Sequence, residues 1–261
     1  MKWFTPMLCM LSINSICQAD TITLRADEWF PVNGDPQAEH RGYMIDIATK
    51  IWESHGHSVD YQIMPWERAI EETRSGQVDC IVGAYVEDAP DFVFPSSALG
   101  MDESHFFSLS KNNWKFHGIN SLKQVRLGVV GGYAYDEGPL DAYIEKYENS
   151  SRVQIMKGNN ALEQNIKKLI SGRIDSIVES PMVMKAKLKK MGLHLDIQDA
   201  GTIGDPTPMY IACSPQNPNS KEYVEQLSAG IDELRINGEL HKILSHYDID
   251  DWEVSIVSNN K

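Results

Sequence analysis

Basic residues are scarce in this chain, and long apolar runs are confined to its N-terminus. Lys and Arg number 24 against 37 Asp and Glu, so the net charge at pH 7 is −13. Nucleic acids and anionic membrane surfaces are bound by basic patches, which argues against both as partners. Past the N-terminal stretch, no segment is apolar and long enough to span a bilayer. With 42% hydrophobic residues in 261, we predict a soluble protein of one or two domains.

The N-terminal apolar stretch is typical of an export signal. MKW supplies a positive start, FTPMLCMLSINSI is apolar but too short to span a membrane, and small residues precede a cleavage site predicted after Ala19. We therefore expect residues 1–19 to be removed, and the mature protein to be located in the periplasm.

Cysteine is also sparse, since only Cys80 and Cys213 follow the predicted cleavage site. An oxidising compartment permits a disulfide between them. Two cysteines in a large domain are more often small buried hydrophobic residues. The sequence therefore predicts neighbouring, antiparallel strands that carry free thiols.

Motifs for cofactors, metals and catalysis are missing. The glycine pair at 131–132 matches neither a Walker loop nor a GxGxxG fingerprint. His55 and His57 form an HxH at a helix end, but no further ligand cluster supports zinc. No Ser-His-Asp or Cys-His arrangement has motif support. We predict no cofactor, no metal site and no catalytic residue.

A phrase of eight residues occurs twice in the chain. SGQVDCIV fills residues 75–82 and SGRIDSIV fills residues 171–178, each after a helix-like stretch. A solenoid would repeat at a short fixed period. Two copies 96 residues apart indicate two similar lobes instead, with a cleft between them.

Short apolar runs alternate with helical patterns in both halves, which is typical of βαβ units. The C-terminal strand MYIACS and the two helices after it start no third lobe, so we expect them to complete the first. The chain would then cross between lobes near residues 97–102 and 204–208. The predicted fold is α/β, with two mixed sheets flanked by helices and joined by a two-strand hinge. Lobe 1 comprises residues 20–100 and 206–261, and lobe 2 comprises residues 101–205.

This order of elements resembles the bacterial extracellular solute-binding proteins, family 3, which serve ABC importers of polar amino acids. The likeness covers nearly the whole mature chain. It rests on GYMIDIATKI, WERAIEETRSGQVDCIVGAY, SLKQVRLGVVGG, SGRIDSIVESP and ELRINGELHKILSHY. The resemblance implies a non-enzymatic monomer that grips a small polar ligand, amino-acid-like or an amine, and delivers it to an ABC permease.

The resemblance assigns ligand contacts in lobe 1. Trp66 matches a position where an aromatic ring lies against the ligand, although a tryptophan of the core is the alternative. Asp27 and Trp29, with Glu28 and Phe30, follow the first strand and would form another wall. In the family, backbone and hydroxyl groups at the end of the strand that carries the first phrase bind the ligand. These positions are Gly83, Ala84 and Tyr85.

Lobe 2 contributes the facing contacts. Gly132 and Tyr133 end a strand just before a helix, where free N–H groups would favour an anion such as a carboxylate. A tight turn that requires glycine explains the same residues equally well. Glu179 ends the second phrase, near where the family has an aspartate that pairs with the ligand's ammonium. Its longer side chain suits a smaller or differently placed cation.

The chain departs from the family after the first phrase, where the family's threonine and arginine are missing and the segment is about three residues short. The family's arginine, which clamps the ligand's carboxylate, is replaced by Asp88 or Asp91, depending on the alignment. Arg68 is the best local substitute, with a solvated helix arginine as the alternative. Without it the cleft is acidic and aromatic, so we predict a positively charged ligand held by Glu179 and Trp66 from opposite lobes.

Two other functions fit the same scaffold. A lyase similar to cyclohexadienyl dehydratase would use Glu179 as a general acid, because burial can raise the pKa of a carboxyl. Its dianionic substrate would, however, need the missing arginine. A sensor that binds the solute and docks on a receptor is the second alternative, and the sequence does not separate it from a transport protein.

Overall fold

The computed structural model describes residues 19–136, 138–193 and 196–253, where strands alternate with helices. The strands are β1 (Thr21–Ala26), β2 (Ser58–Ile63), β3 (Cys80–Ala84), β4 (Gly100–Leu109), β5 (Leu127–Val130), β6 (Val153–Met156), β7 (Ser176–Glu179) and β8 (Ile197–Cys213). The helices are α1 (Tyr43–Ser54), α2 (Trp66–Arg74), α3 (Pro139–Tyr147), α4 (Ala161–Ile170), α5 (Pro181–Lys190), α6 (Ser220–Ile236) and α7 (Glu239–Ser245). Within these ranges, no helix combines the length and apolarity needed to cross a membrane. All but the last residue of the predicted export signal lies outside the described residues.

The sheet order places two similar groups of strands at opposite ends. Hydrogen bonding follows the order β2-β1-β3-β8-β4-β7-β5-β6. The groups β2-β1-β3 and β6-β5-β7 are each parallel, and each has an antiparallel strand beside it, β8 next to β3 and β4 next to β7. The long strands β4 and β8 also pair with each other, so hydrogen bonding continues across all eight strands. The C-terminal end of β8 pairs with β3, and the rest of β8 pairs with β4.

The repeated phrase has the same structural role in both groups. In the first copy, Asp79 Oδ2 accepts hydrogen bonds from the backbone N–H of Thr23 at 2.8 Å and from its hydroxyl at 2.7 Å. In the second, Asp175 Oδ2 accepts from the backbone N–H of Arg126 at 2.9 Å and from its Nε at 2.8 Å. In each copy, the aspartate anchors the segment between a helix and a strand by hydrogen bonds to the neighbouring parallel strand or the residue before it. This shared role accounts for the repeat.

Two elements were not predicted from the sequence, β4 and α5. The C-terminal strand is also longer than MYIACS, because residues 197–208 pair with β4. Gly100 lies opposite Met209, where the two long strands meet, close to both predicted crossings. The exact lobe boundaries stay a prediction.

Cys80 and Cys213 form a disulfide, with the two sulfur atoms 2.01 Å apart. The prediction of free thiols is therefore wrong, whereas the predicted antiparallel pairing of their strands is confirmed. The register places Cys80 directly opposite Cys213. A register one residue away would turn the two side chains to opposite faces, and composition alone does not fix the register.

The C-terminal helices pack on the first group of strands through α1. Gly230 of α6 faces Ile51, and a Cβ atom there would lie 2.6 Å from Ile51 Cγ2. The glycine therefore permits the close approach of the two helices. Gly238 separates α6 from α7 with a φ of +80°, which confirms the predicted break.

Candidate functional site

Four strand ends bring polar side chains to one region between the two groups of strands. Asp27 follows β1, Tyr85 follows β3, Tyr133 lies three residues after β5, and Glu179 ends β7. Ligands of open α/β sheets bind beyond the carboxyl ends of strands, so the placement is as expected.

Two small chambers lie between these strand ends. The inner cavity encloses about 20 Å³, roughly the space of one or two water molecules. Its lining is Asp27, Trp29, Trp66, Val82, Gly83, Tyr85, Asp88, Tyr133 and Ala134. A second chamber of about 10 Å³ shares Asp27, Trp29 and Tyr133 with it and adds Glu179. The cleft is therefore closed in this structure.

Four of the residues that line the inner cavity are aromatic, and three of their rings pack edge-on. The Tyr133 ring meets Trp29 edge-on, with centroids 6.2 Å apart, and meets Trp66 in the same way at 6.5 Å. Both tryptophans are buried. Trp66 is the first residue of α2, so its ring lines the cavity and also packs on Ala69 and Ala84 behind it. The ligand-facing and core interpretations of Trp66 are thus compatible.

Aromatic donors hydrogen-bond to carboxylates across the cleft, and each pair joins the two predicted lobes. Trp29 Nε1 donates to Glu179 Oε1 at 2.9 Å, Tyr133 Oη to Asp27 Oδ2 at 2.6 Å, and Tyr85 Oη to Asp102 Oδ2 at 2.8 Å. Glu179 thus has Trp29 as its aromatic hydrogen-bond partner, and joint contact of Glu179 and Trp66 with a ligand stays a prediction. These three bonds hold the cleft closed.

Glu179 is the least compensated carboxyl of the site. Its side chain is only 3% exposed. Oε1 accepts hydrogen bonds from Trp29 and from the Ser180 N–H at 2.9 Å, but Oε2 has no partner among the described residues. Burial raises the pKa of Glu179 to about 8, and the nearby Asp102 and Asp27 carboxylates act in the same direction. A cation placed at Oε2 would relieve both effects.

Three further carboxyls make the cleft strongly acidic. Burial raises the pKa of Asp27 to about 6, that of Asp102 to about 6 and that of Asp88 to about 7. The buried Lys187 lowers the pKa of Asp27 through its charge, but its Nζ is 2.8 Å from Glu28 Oε1, and Lys190 binds the same oxygen. Lys187 is thus already paired with Glu28, and the raised pKa values mean that the cleft carboxyls ionise more fully when a cation binds beside them.

The arginine substitute is not in the cavity. The Arg68 side chain is 65% exposed and pairs with Glu72 on the surface of α2. Asp91 is also on the surface, where both its oxygens accept from Arg74. Asp88, in contrast, faces the inner cavity and accepts a hydrogen bond from the Tyr85 N–H at 2.8 Å. Of the two acids that replace the family's arginine in alternative alignments, only Asp88 lines the cavity.

Three predicted site residues, Gly83, Ala84 and Gly132, affect the packing around the site. Gly83 has a φ of +80°, and a Cβ atom there would lie 3.2 Å from the Trp29 ring. The absence of a side chain at residue 83 therefore leaves room for the Trp29 ring. Ala84 is buried behind the cavity. Gly132 lies outside the inner cavity, where a Cβ atom would lie 2.6 Å from Glu67 Cγ.

The anion site predicted at residues 131–133 is crowded by the protein's own acids. Helix α3 begins only at Pro139, and the Leu140 N–H in its first turn binds the Asp136 carboxylate at 3.1 Å. Glu67 packs against Gly132 and pairs with Lys157. An added carboxylate here would lie close to the Glu67 side chain.

Replacing Gly132 with alanine is expected to weaken ligand binding about tenfold, because the new methyl group would push Glu67 and its lobe away. Gly118→Ala is the matched control, since Gly118 has a similar φ of +93° but nothing within 4 Å of its Cβ position. Calorimetric titration of both variants measures the effect. Equal affinities for the two variants would show that close packing at Gly132 is not needed for closure.

Three lining residues were not predicted, Val82, Asp88 and Ala134. Asp102, which lies beside the lining, was also missed. Asp88 was noted only as a replacement for arginine, and its neighbours EDAPD gave no sign of which acid turns inward. Asp102 is the third residue of β4, a strand that the sequence did not predict, so no signal pointed to it.

Comparison with known proteins agrees with this geometry. Residues 23–90 match the family model for bacterial extracellular solute-binding proteins, family 3. The predicted resemblance is confirmed. A curated relative, "Probable amino-acid-binding protein YxeM" of Bacillus subtilis (strain 168), is 21% identical over 213 residues, which cover 79% of this chain and 75% of the relative.

Solved structures of similar fold cover most of the chain. An ancestral arginine-binding protein bound to glutamine superposes with a TM-score of 0.69 at 19% identity, covering 88% of this chain and 98% of that one. A substrate-binding protein of an ABC uptake transporter from Streptococcus pneumoniae, with bound histidine, gives 0.71 at 16%, covering 87% and 92%. A histidine kinase sensor domain with similarity to periplasmic binding proteins gives 0.70 at 16%, covering 87% and 95%. The predicted two-lobed α/β fold of periplasmic binding proteins is thereby confirmed.

Proposed function

We propose that this chain is an extracytoplasmic solute-binding protein that closes two lobes around a small solute bearing an ammonium group and delivers it to an ABC permease. The buried, unpartnered Oε2 of Glu179 carries this proposal, because a cationic partner at this oxygen would stabilise the carboxylate form that burial disfavours. The relatives named for amino-acid binding support a ligand of this size.

The rest of the cleft supports a cation rather than an anion. Carboxylate oxygens and aromatic faces both attract an ammonium group, and closure strengthens both by excluding water. An anionic group would instead meet Asp27, Asp88 and Glu179. Arg68 is outside the cavity, so it does not offset these charges in the closed form.

Binding is favoured over catalysis for the same reason. The raised pKa of Glu179, about 8, would suit a general acid. The dianionic substrate of a dehydratase-like reaction would, however, be repelled by the acidic lining. A sensor that docks on a receptor is the second candidate function, because a histidine kinase sensor domain is among the structures of similar fold.

In this proposal, the protein acts as a monomer in the periplasm. Lobe 1 (residues 20–100 and 206–261) and lobe 2 (residues 101–205) would rotate about β4 and β8, where the chain crosses between them. Opening would break the hydrogen bonds that span the cleft, and a bound solute would restore closure.

A panel of solutes tests the charge preference. Thermal unfolding of the purified mature protein should shift upward with positively charged amines and amino acids, and should not shift with glutamate or aspartate. A shift with the acidic amino acids alone would overturn the proposal.

Replacing Arg68 with alanine is expected to leave ligand affinity within about twofold, because its side chain is exposed and paired with Glu72. Calorimetric titration with the best solute of the panel measures this. Loss of binding would mean that Arg68 clamps a ligand carboxylate, contrary to the closed geometry.

A further inference from the structure

An open groove continues outward from the inner cavity. It has a volume of about 680 Å³ and shares Asp88, Tyr133 and Ala134 with the cavity. Six carboxylates and one lysine line the groove. The acidic residues are Glu67, Glu87, Asp88, Asp141, Glu145 and Glu148. The groove therefore extends the negative charge of the cavity towards solvent.

The charge of this groove is largely uncompensated. Its lysine, Lys157, is already engaged by both oxygens of Glu67, at 2.8 and 3.1 Å. Neither Glu87 nor Glu145 forms an ion pair with another residue in the described ranges. Together with the buried, unpartnered Glu179 Oε2, carboxylates thus occur along a path from the deep chamber to the surface.

Four backbone donors near this path are already occupied. Asp88 accepts from the Tyr85 N–H at 2.8 Å. The N–H groups of Tyr135 and Asp136 bind Asp141 at 3.0 and 3.1 Å. The Gly131 N–H binds the Met156 carbonyl at 2.8 Å. A ligand carboxylate at any of these four donors would have to displace the present acceptor, and it would then lie beside several other carboxylates.

We infer that the ligand is a linear diamine or polyamine without a carboxylate, with one ammonium group at Asp27 and Glu179 and the next near Asp88. The aromatic walls between these carboxylates suit the methylene chain, as well as the charge, of such a ligand. This inference rests on the proposed function and specifies the chemical class of its solute.

Three compounds with the same carbon chain separate the possibilities. 1,5-Diaminopentane has two ammonium groups, 1-aminopentane lacks one of them, and L-lysine adds a carboxylate to the diamine. Calorimetric titration of the mature protein should give 1,5-diaminopentane at least about tenfold higher affinity than either of the others. A longer triamine, spermidine, tests whether the groove accepts a third charge.

The outcomes distinguish this inference from the proposed function. Equal or tighter binding of L-lysine would show a carboxylate site, and equal binding of 1-aminopentane would show that one ammonium suffices; either overturns the inference but leaves an ammonium-binding protein. No binding of any of these compounds, together with no response in the wider panel of cationic solutes, would overturn both.

A variant pair locates the second ammonium. Asp88→Asn should reduce diamine affinity about tenfold and leave 1-aminopentane within about twofold. Asp91→Asn is the matched control, since Asp91 lies three residues further on and pairs with Arg74 at the surface. Asp88 lines the cavity and Asp91 does not. Equal diamine affinity in the two variants would therefore contradict a role of Asp88 in binding the ligand.

Discussion

Replacing Glu179 with glutamine is expected to weaken ligand binding by roughly 30- to 1000-fold. Removing one partner of a buried, charged hydrogen bond costs about 2–4 kcal/mol, and about 1.4 kcal/mol corresponds to tenfold. Glutamine keeps the size of the side chain and can still accept from Trp29 and Ser180, so the change removes mainly the charge. Calorimetric titration with the best cationic solute measures the loss.

The same variant is expected to stabilise the ligand-free protein at high pH. A carboxyl whose pKa is raised from 4.5 to about 8 on folding binds more protons when folded, so its contribution to stability falls as pH rises through this window. Glutamine has no such dependence. At pH 8 the free energy of unfolding should rise by at least about 1.4 kcal/mol, the equivalent of one pKa unit; at pH 5 little gain is expected.

Glu163→Gln is the matched control for both effects. Glu163 is on α4, where the hydrogen bond from Lys167 lowers its pKa, opposite to the shift at Glu179. Its replacement should leave ligand affinity unchanged and give no stabilisation at pH 8. If Glu179→Gln behaved like this control, the deep carboxylate would have no part in binding.

Removing the disulfide is expected to destabilise the protein by about 3–5 kcal/mol. The bond between Cys80 and Cys213 closes a loop with a sequence separation of 133 residues, and loop entropy gives about 5 kcal/mol as an upper value for such a length. For a chain of this size, the midpoint of thermal unfolding should fall by roughly 10 °C.

The comparison uses the double variant Cys80→Ala/Cys213→Ala beside the oxidised protein. Thiol titration of the denatured, unreduced protein should find no reactive group, and reduction should release two. Two thiols without reduction, or a double variant as stable as the oxidised protein, would contradict the bond's role. Ligand affinity should change little, because neither cysteine lines the cavity.

The repeat and the periodicity were sufficient to predict most of the fold. The phrase around Asp79 and Asp175 indicated two similar groups of strands because its aspartates make the same local bonds in both. Strand β4 was missed because its sequence, GMDESHFFSL, alternates poorly, and its pairing with β8 is a long-range contact. The disulfide depended on the register of β3 and β8, which local sequence does not encode.

The site was predictable where a strand ends and not where a loop turns. Asp27, Tyr85 and Tyr133 follow parallel strands and Glu179 ends one, so the topology brought them together. Arg68 follows Trp66 by two residues, and on a helix that spacing points the two side chains in different directions. Asp88 lies in a loop. Its carboxylate faces the cleft because it accepts a hydrogen bond from the Tyr85 N–H and because the lobes are closed around it.

The mass of a trapped ligand tests the central claim most directly. Mature protein secreted to the periplasm and purified gently, without denaturation, should carry a bound species visible by native mass spectrometry. The account predicts that its mass, after release and fragmentation, corresponds to an amine with a net positive charge and no carboxylate. A released compound with a net negative charge would contradict the assignment of the cleft as a cation site.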